Sequence, residues 1–267
     1  LTLEEVNGVF REIWGHDNRK ISVAGTAAIE EEVSAETAIR RVYESAQMAD
    51  VETWQENGAV AFPYMDAPQN TGVVVDEKYF ADIDLHRFSF ANGTILNVKK
   101  TPFKPNQVQV VIHFGAGKQS EAVPGLGMLA QSVVNESGTG RLTKVELEEA
   151  LAGNNVNVSF QVGGESFVLK GNGLSDELEL LWQLLSTRLL DPAFREDAYR
   201  LVMDRHKENY EKLTVSVDGM MRLRGERFLA DEDPHVGYPP YEQYKELTLV
   251  QVSEWLVPVF ASAPLEI

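Results

Sequence analysis

The phrase "LTLEEVNGVF" opens this 267-residue chain and a close variant, "LTLVQVSEWL", returns from Leu247. A repeat restricts the architectures open to a chain more than any single motif does, because each copy must be built into an equivalent structural unit. Both copies read as the entry to a helix. Thr2 and Thr248 stand as N-caps with Glu5 and Gln251 three residues later, the spacing of a capping box. Leu1 with Val6, and Leu247 with Val252, occupy the flanking positions of a hydrophobic staple. Apolar residues then recur at helical spacing, Val6, Val9, Phe10 and Ile13 in one copy and Val252, Leu256, Val259 and Phe260 in the other. The β-prone run "RKISVAG" follows the first copy and "PLEI" the second at the same offset, so that Ile21 matches Ile267.

The expectation is of tandem related modules. Residues 1–25 read as the C-terminal helix and strand of a preceding module, and 85–267 as a second module truncated in its last strand. Between them, 26–84 reads as an ordered linker, since Trp54, Phe62, Tyr64, Val73 to Val75 and Phe80 are too many apolar residues for a disordered tether. On this reading the chain is a piece of a longer protein, and the helix starting at Thr2, away from its own core, favours self-association.

Within 85–267 the pattern alternates between strand and helix signals. "RFSFANGTILNV" places Asn92-Gly93 between two β-prone runs, a strong hairpin signal. "QVQVVIHF" alternates Val108, Val110, Ile112 and Phe114 with polar residues, as a half-buried strand does. "GLGMLAQSVV" predicts a helix, and "LTKVELEEALAGN" another, with Thr143 and Glu146 as capping box and Gly153 as stop. Two strands flank Gly163-Gly164, a leucine-striped helix runs from Ser175 to Asp191-Pro192, and a long helix runs from about Phe194 to Leu213. A shorter helix carries Met220 to Phe228. The fold class is α+β, an antiparallel sheet covered by helices.

The balance of charge removes several functions. At −17 the chain is repelled overall by nucleic acid and by anionic membrane surfaces, and no apolar run reaches the ~18 residues that span a bilayer. With no cysteine, thiolate nucleophiles, disulfides and sulfur-ligated metals are excluded. The five histidines, His16, His86, His113, His206 and His235, never fall within four residues of each other, so no helical two-histidine zinc pair can be written. "FGAGKQS" misses the phosphate-loop pattern at two positions, and "GLGMLA" lies too far from its strand for a dinucleotide turn. Asp204 and Glu208, four apart on one helix face, read as solvated residues before they read as a metal or acid-base pair.

Four stretches in order, "FSFANGTILNVKKTPF", "VQVVIHFGAGKQSEAVPGLGMLAQSVVNESGTG", "DPAFREDAYRLVMDRHKENYE" and "YEQYKELTLVQVSEWL", resemble the pitrilysin/insulinase family of zinc metallopeptidases, the inverted zincins. The resemblance covers about residues 86–267, and the opening 25 residues resemble the end of a preceding module. It implies a metallopeptidase-like module. In active modules of that family a helix bears H-x-x-E-H, two histidines for zinc and a glutamate to activate water. The positions that match are Met128 and Ser132 for the histidines and Gln131 for the glutamate, with Asp204 or Glu208 near the third-ligand position. Methionine and serine are poor zinc ligands, and glutamine cannot take a proton from water.

The resemblance therefore implies a module with no catalytic and no metal residues of its own, within a parent zinc endopeptidase whose zinc sits elsewhere. Its partners would be the other modules of the same chain and the parent's peptide substrates, held in a chamber of which this module forms wall. The alternative is a non-enzymatic scaffold sharing the fold, as in respiratory-complex core subunits.

Overall fold

The computed structural model describes residues 2–14, 19–25, 34–50, 61–66 and 72–267. The chain divides into two compact units, Leu1–Glu56 and Asn57–Ile267.

Among the described residues the first unit holds two helices, α1 (Leu3–Ile13) and α2 (Ala35–Met48). The capping box expected at Thr2 is present: the Glu5 N–H donates to Thr2 Oγ1 at 3.3 Å, and the Thr2 N–H donates to Glu5 Oε2 at 2.8 Å. Both helices are amphipathic, yet neither buries a residue. The stripe Val6, Val9, Phe10, Ile13 is at least half exposed along its length. Arg19 links the two helices within this unit, donating to the Trp14 carbonyl at 2.7 Å and to the Tyr43 hydroxyl at 2.9 Å. The run around Ile21 and Val23, expected as a strand, carries none, and both residues are exposed. A lone β-prone segment has no ladder to complete its N–H and C=O groups.

The second unit is a seven-stranded sheet with helices. Its strands are β1 (Val74–Phe80), β2 (Leu85–Phe90), β3 (Ile95–Val98), β4 (Gln107–Phe114), β5 (Asn157–Val162), β6 (Phe167–Leu174) and β7 (Leu265–Glu266), in the order β1-β2-β3-β7-β4-β6-β5. All neighbours pair antiparallel except β3 and β7, which run parallel. The sequence signals account for most of this. Gly93, at φ +85°, turns β2 into β3 as the Asn-Gly signal requires. β4 buries Val110, Ile112 and Phe114 and exposes the residues between them, as the alternation predicts. One strand comes from the stretch read as linker: β1 adds to β2 even though every one of its residues is exposed. Such a strand is held by its ladder and carries no burial alternation to reveal it.

Helices cover the sheet: α3 (Leu126–Glu136), α4 (Lys144–Ala150), α5 (Leu178–Leu190), α6 (Glu196–Thr214), the pair α7 (Val217–Met220) and α8 (Glu226–Leu229) joined by a π-helical turn over Met221–Gly225, and the short α9 (Tyr241–Tyr244). α10 (Leu249–Ser262) closes the unit. α3 lies on β5 and α6, α5 on β6, and α10 on both α3 and α5. β6 carries glycine at 171 where α5 comes close, and a Cβ there would stand 3.0 Å from Leu181. The core unites Ile112, Phe114, Phe160, Phe167, Leu181 and Leu185 with Leu129 and Val133 of α3 and Val252, Leu256 and Phe260 of α10.

The second copy of the opening phrase thus fulfils its pattern. Thr248 caps α10 with Gln251 in a capping box, and Leu247 and Val252 of the staple are both buried. The same pattern in α1 produces the same capped helix with its apolar stripe uncovered.

Candidate functional site

The helix that carries the positions matched to H-x-x-E-H is α3, and its start is fixed by three features. Gly125 caps it at φ +93°, a conformation disfavoured for side chains with a Cβ. Glu121 is buried, and its carboxylate accepts the Gly127 N–H at 2.9 Å, satisfying an orphan donor of the first turn with a negative charge where the helix dipole favours one. His235 approaches the other Glu121 oxygen at 3.5 Å.

From that start, α3 turns Leu126, Leu129, Ala130, Val133 and Val134 into the core. Met128, Gln131 and Ser132, three and four residues apart, share another face. They line one open cleft of about 400 Å³ together with Asn135 and Glu136, opposite Val202, Arg205, His206 and Asn209 of α6, with Tyr238 and Tyr244 completing the lining. The structure therefore brings Met128, Gln131 and Ser132 together. Asp204 and Glu208 are exposed, and neither lines the cleft. α6 turns about 100° per residue, so the face that packs is Ala198, Val202 and His206, and the positions turned to the cleft are 205, 206 and 209 in place of 204 and 208.

Two groups in this cleft have no counterpart among the site residues expected from sequence. Glu136 accepts from Lys144 at 3.0 Å and from Arg205 at 2.9 Å, so it ties α3 to α4 and α6. Burial pushes the Glu136 carboxyl up, but the hydrogen bonds from Lys144 and Arg205 outweigh it and hold it below the usual range. His206 is 5% exposed and stacks on the rings of Tyr238 and Tyr244, at 4.8 and 3.3 Å between centroids. Its Nδ1 shares a hydrogen bond of 3.0 Å with the Tyr238 hydroxyl, while Nε2 is buried without a partner among the described residues. Burial pushes the imidazole down to about 4, and pushes both tyrosine hydroxyls up. At neutral pH the cluster is uncharged. One signal does exist in the sequence: His206 falls on the buried stripe Ala198, Val202, His206 of α6, at i, i+4 and i+8.

The donor set does not suit zinc. Gln131 is already engaged, accepting the Val162 N–H at 3.0 Å. His206 is the only imidazole among the lining residues, and no group of three or more His, Cys, Asp or Glu gathers anywhere among the described residues. A zinc site needs three protein ligands of that kind. The cleft offers a thioether, a hydroxyl, amides, two phenols, one imidazole and a carboxylate held by Lys144 and Arg205, groups that can hydrogen-bond a neutral polar ligand.

No protein-family model matches this chain, and no curated protein does. Solved structures share its fold. A mutant of the ferredoxin protease FusC, in complex with Arabidopsis ferredoxin, aligns with a TM-score of 0.64 at 19% identity, over 88% of this chain and 26% of that one. The periplasmic protease PqqL from Escherichia coli aligns at 0.61 and 16% identity, again over 88% of this chain and 26% of that chain. A peptidase M16 inactive domain from Pseudomonas fluorescens aligns at 0.52 and 17% identity, over 68% of this chain and 46% of its own. This chain spans about a quarter of the length of the two proteases. At these identities the likeness is one of fold: the chain folds as the domains of M16 pitrilysin-like peptidases do, an inactive domain among them.

Proposed function

We propose that this chain is a non-catalytic module of a larger zinc-dependent endopeptidase of the pitrilysin/insulinase type, and that it supplies chamber wall and substrate contact. The observation that carries the reading is the cleft under α3. It sits on an M16-type fold, where the resemblance calls for two histidines and a glutamate, and holds Met128, Ser132 and Gln131. The helix is kept without its chemistry. Zinc, on this reading, belongs to another module of the parent chain. The module's own contribution is surface, and remote contacts of that kind lower a barrier by adding binding energy away from the reacting bond.

Residues 1–25 correspond to the closing segment of a preceding module, whose core would cover the stripe Val6, Val9, Phe10, Ile13 as this unit's core covers Val252, Leu256 and Phe260. Peptides fit as substrates of the parent, since FusC was solved with a protein, ferredoxin, bound. The whole gene product provides the test. A chelator-sensitive peptidase that dies when the glutamate of an H-x-x-E-H outside residues 1–267 is changed, and that survives Gln131→Ala, fits the proposal. A parent protein with no such motif and no peptidase activity would favour a scaffold.

A further inference from the structure

Among the described residues the sheet ends at β5, so the outer N–H and C=O groups of that strand have no neighbouring strand there. An unpaired edge of this kind is a template for any extended polypeptide. Here the edge is occupied from within. Asn135 Oδ1 accepts the Phe160 N–H at 2.9 Å, and Asn135 Nδ2 donates to the Phe160 carbonyl at 2.8 Å. One side-chain amide thereby makes both bonds that the opposite residue of an antiparallel strand would make. Gln131 Oε1 takes the next outward N–H, that of Val162, at 3.0 Å.

The spacing explains why two amides on a helix can do this. Positions i and i+4 rise about 6 Å along a helix, and alternate residues rise about 6.6 Å along a strand, so Gln131 and Asn135 keep step with Val162 and Phe160. Beyond Val162 the loop before α3 continues the cover, with the Lys118 and Gln119 N–H groups donating to the carbonyls of Gly163 and Gly164 at 2.9 and 3.2 Å. Closure stops at the other end. By the alternation of an antiparallel ladder Val158 also turns its N–H outward, and among the described residues nothing takes it.

We infer that Gln131 and Asn135 act as an internal stand-in for a bound peptide strand, closing the Phe160–Val162 edge of this module to polypeptide. The inference stands on the geometry of α3 and β5 and holds whether or not the parent protein is a peptidase. Its consequence is specific: substrate contact by strand addition is barred at this edge, and removing the two amides opens it.

The test uses the full 267-residue chain and two readouts. Amide exchange of the wild type should show the Phe160 and Val162 N–H groups protected like the β5–β6 ladder, and the Val158 N–H fast. Fluorescence anisotropy with a labelled, uncharged, threonine- and valine-rich extended peptide should show binding tightened about tenfold or more by Gln131→Ala with Asn135→Ala, since about three intramolecular hydrogen bonds no longer compete. A proline-interrupted peptide, unable to form the ladder, should gain nothing. Phe160 and Val162 amides that exchange as fast as Val158 in the wild type would overturn the inference. So would a folded double variant with no gain in peptide affinity. If circular dichroism shows the double variant unfolded, the exchange result decides alone.

Discussion

Acidification should unlock the packing between α6 and the segment around Tyr238. His206 is buried against Tyr238 and Tyr244 and is held near 4, against an ordinary value of 6.5. The folded protein therefore binds this proton less readily than the unfolded chain does. Stability from the neutral imidazole is fully present above 6.5 and is lost as pH falls toward 4. At ~1.4 kcal/mol per tenfold difference in proton affinity, moving from about pH 7.5 to about pH 5.0 should cost the fold about 2 kcal/mol through this one residue. The window avoids Glu136, whose carboxyl lies low because Lys144 and Arg205 outweigh its burial and whose contribution is lost only at more acid pH. The assay is urea denaturation at the two pH values for the wild type and for His206→Gln. The wild type should lose about 2 kcal/mol more than the variant across the interval. Equal losses in the two proteins would mean that His206 titrates in the folded state as it does in the unfolded one, contrary to this expectation.

Other consequences can be measured separately. Thr248→Ala removes the Oγ1 that accepts the Gln251 N–H at the start of α10, and should lower stability by about 1 kcal/mol in urea. Gly138→Ala should cost about 2 kcal/mol or more, because the residue sits at φ +73° and a Cβ would come within 2.4 Å of the Leu142 carbonyl oxygen; an unchanged midpoint would contradict the backbone geometry given for that turn. Phe10→Asp should reduce any self-association seen by sedimentation velocity, since the α1 stripe is the proposed contact. Met128→His with Gln131→Glu and Ser132→His should gain little zinc affinity, because Asp204 and Glu208 lie outside the cleft, and adding Asn209→Glu, which lines it, should tighten binding as read by competition with a chromogenic chelator.

Much of the second unit is legible because burial there follows simple periods. The alternation in β4, the Asn-Gly turn after β2 and the Thr-x-x-Glu entry of α4 each fix an element locally, and the structure has them where the residues place them. β1 reads as linker because its residues VVDEKYF are exposed throughout, so no alternation marks them. The strand expected around Ile21 and Val23 fails for the complementary reason. Its counterpart β7 exists because β3 and β4 flank it and pair with it, and partners of that kind are not encoded in a short β-prone run.

At the cleft, the trio Met128, Gln131 and Ser132 follows from spacing on one helix. The facing residues do not, because they depend on how α6 is rotated. That rotation is set by Val202 and His206 packing inward, and it carries Asp204 and Glu208 into solvent. In the sequence His206 is one isolated histidine among five. What gives it a defined state is its stacking on two tyrosines brought in from residues 238 and 244.

On the proposed function, the cleft beneath α3 combines an M16-like fold with lining residues that hold no catalytic metal. Elemental analysis of the purified 267-residue chain, dialysed against buffer after exposure to excess zinc, tests it most directly. The expected result is no stoichiometric zinc. One tightly held zinc per chain, released when Met128, Ser132 or His206 is changed, would contradict it.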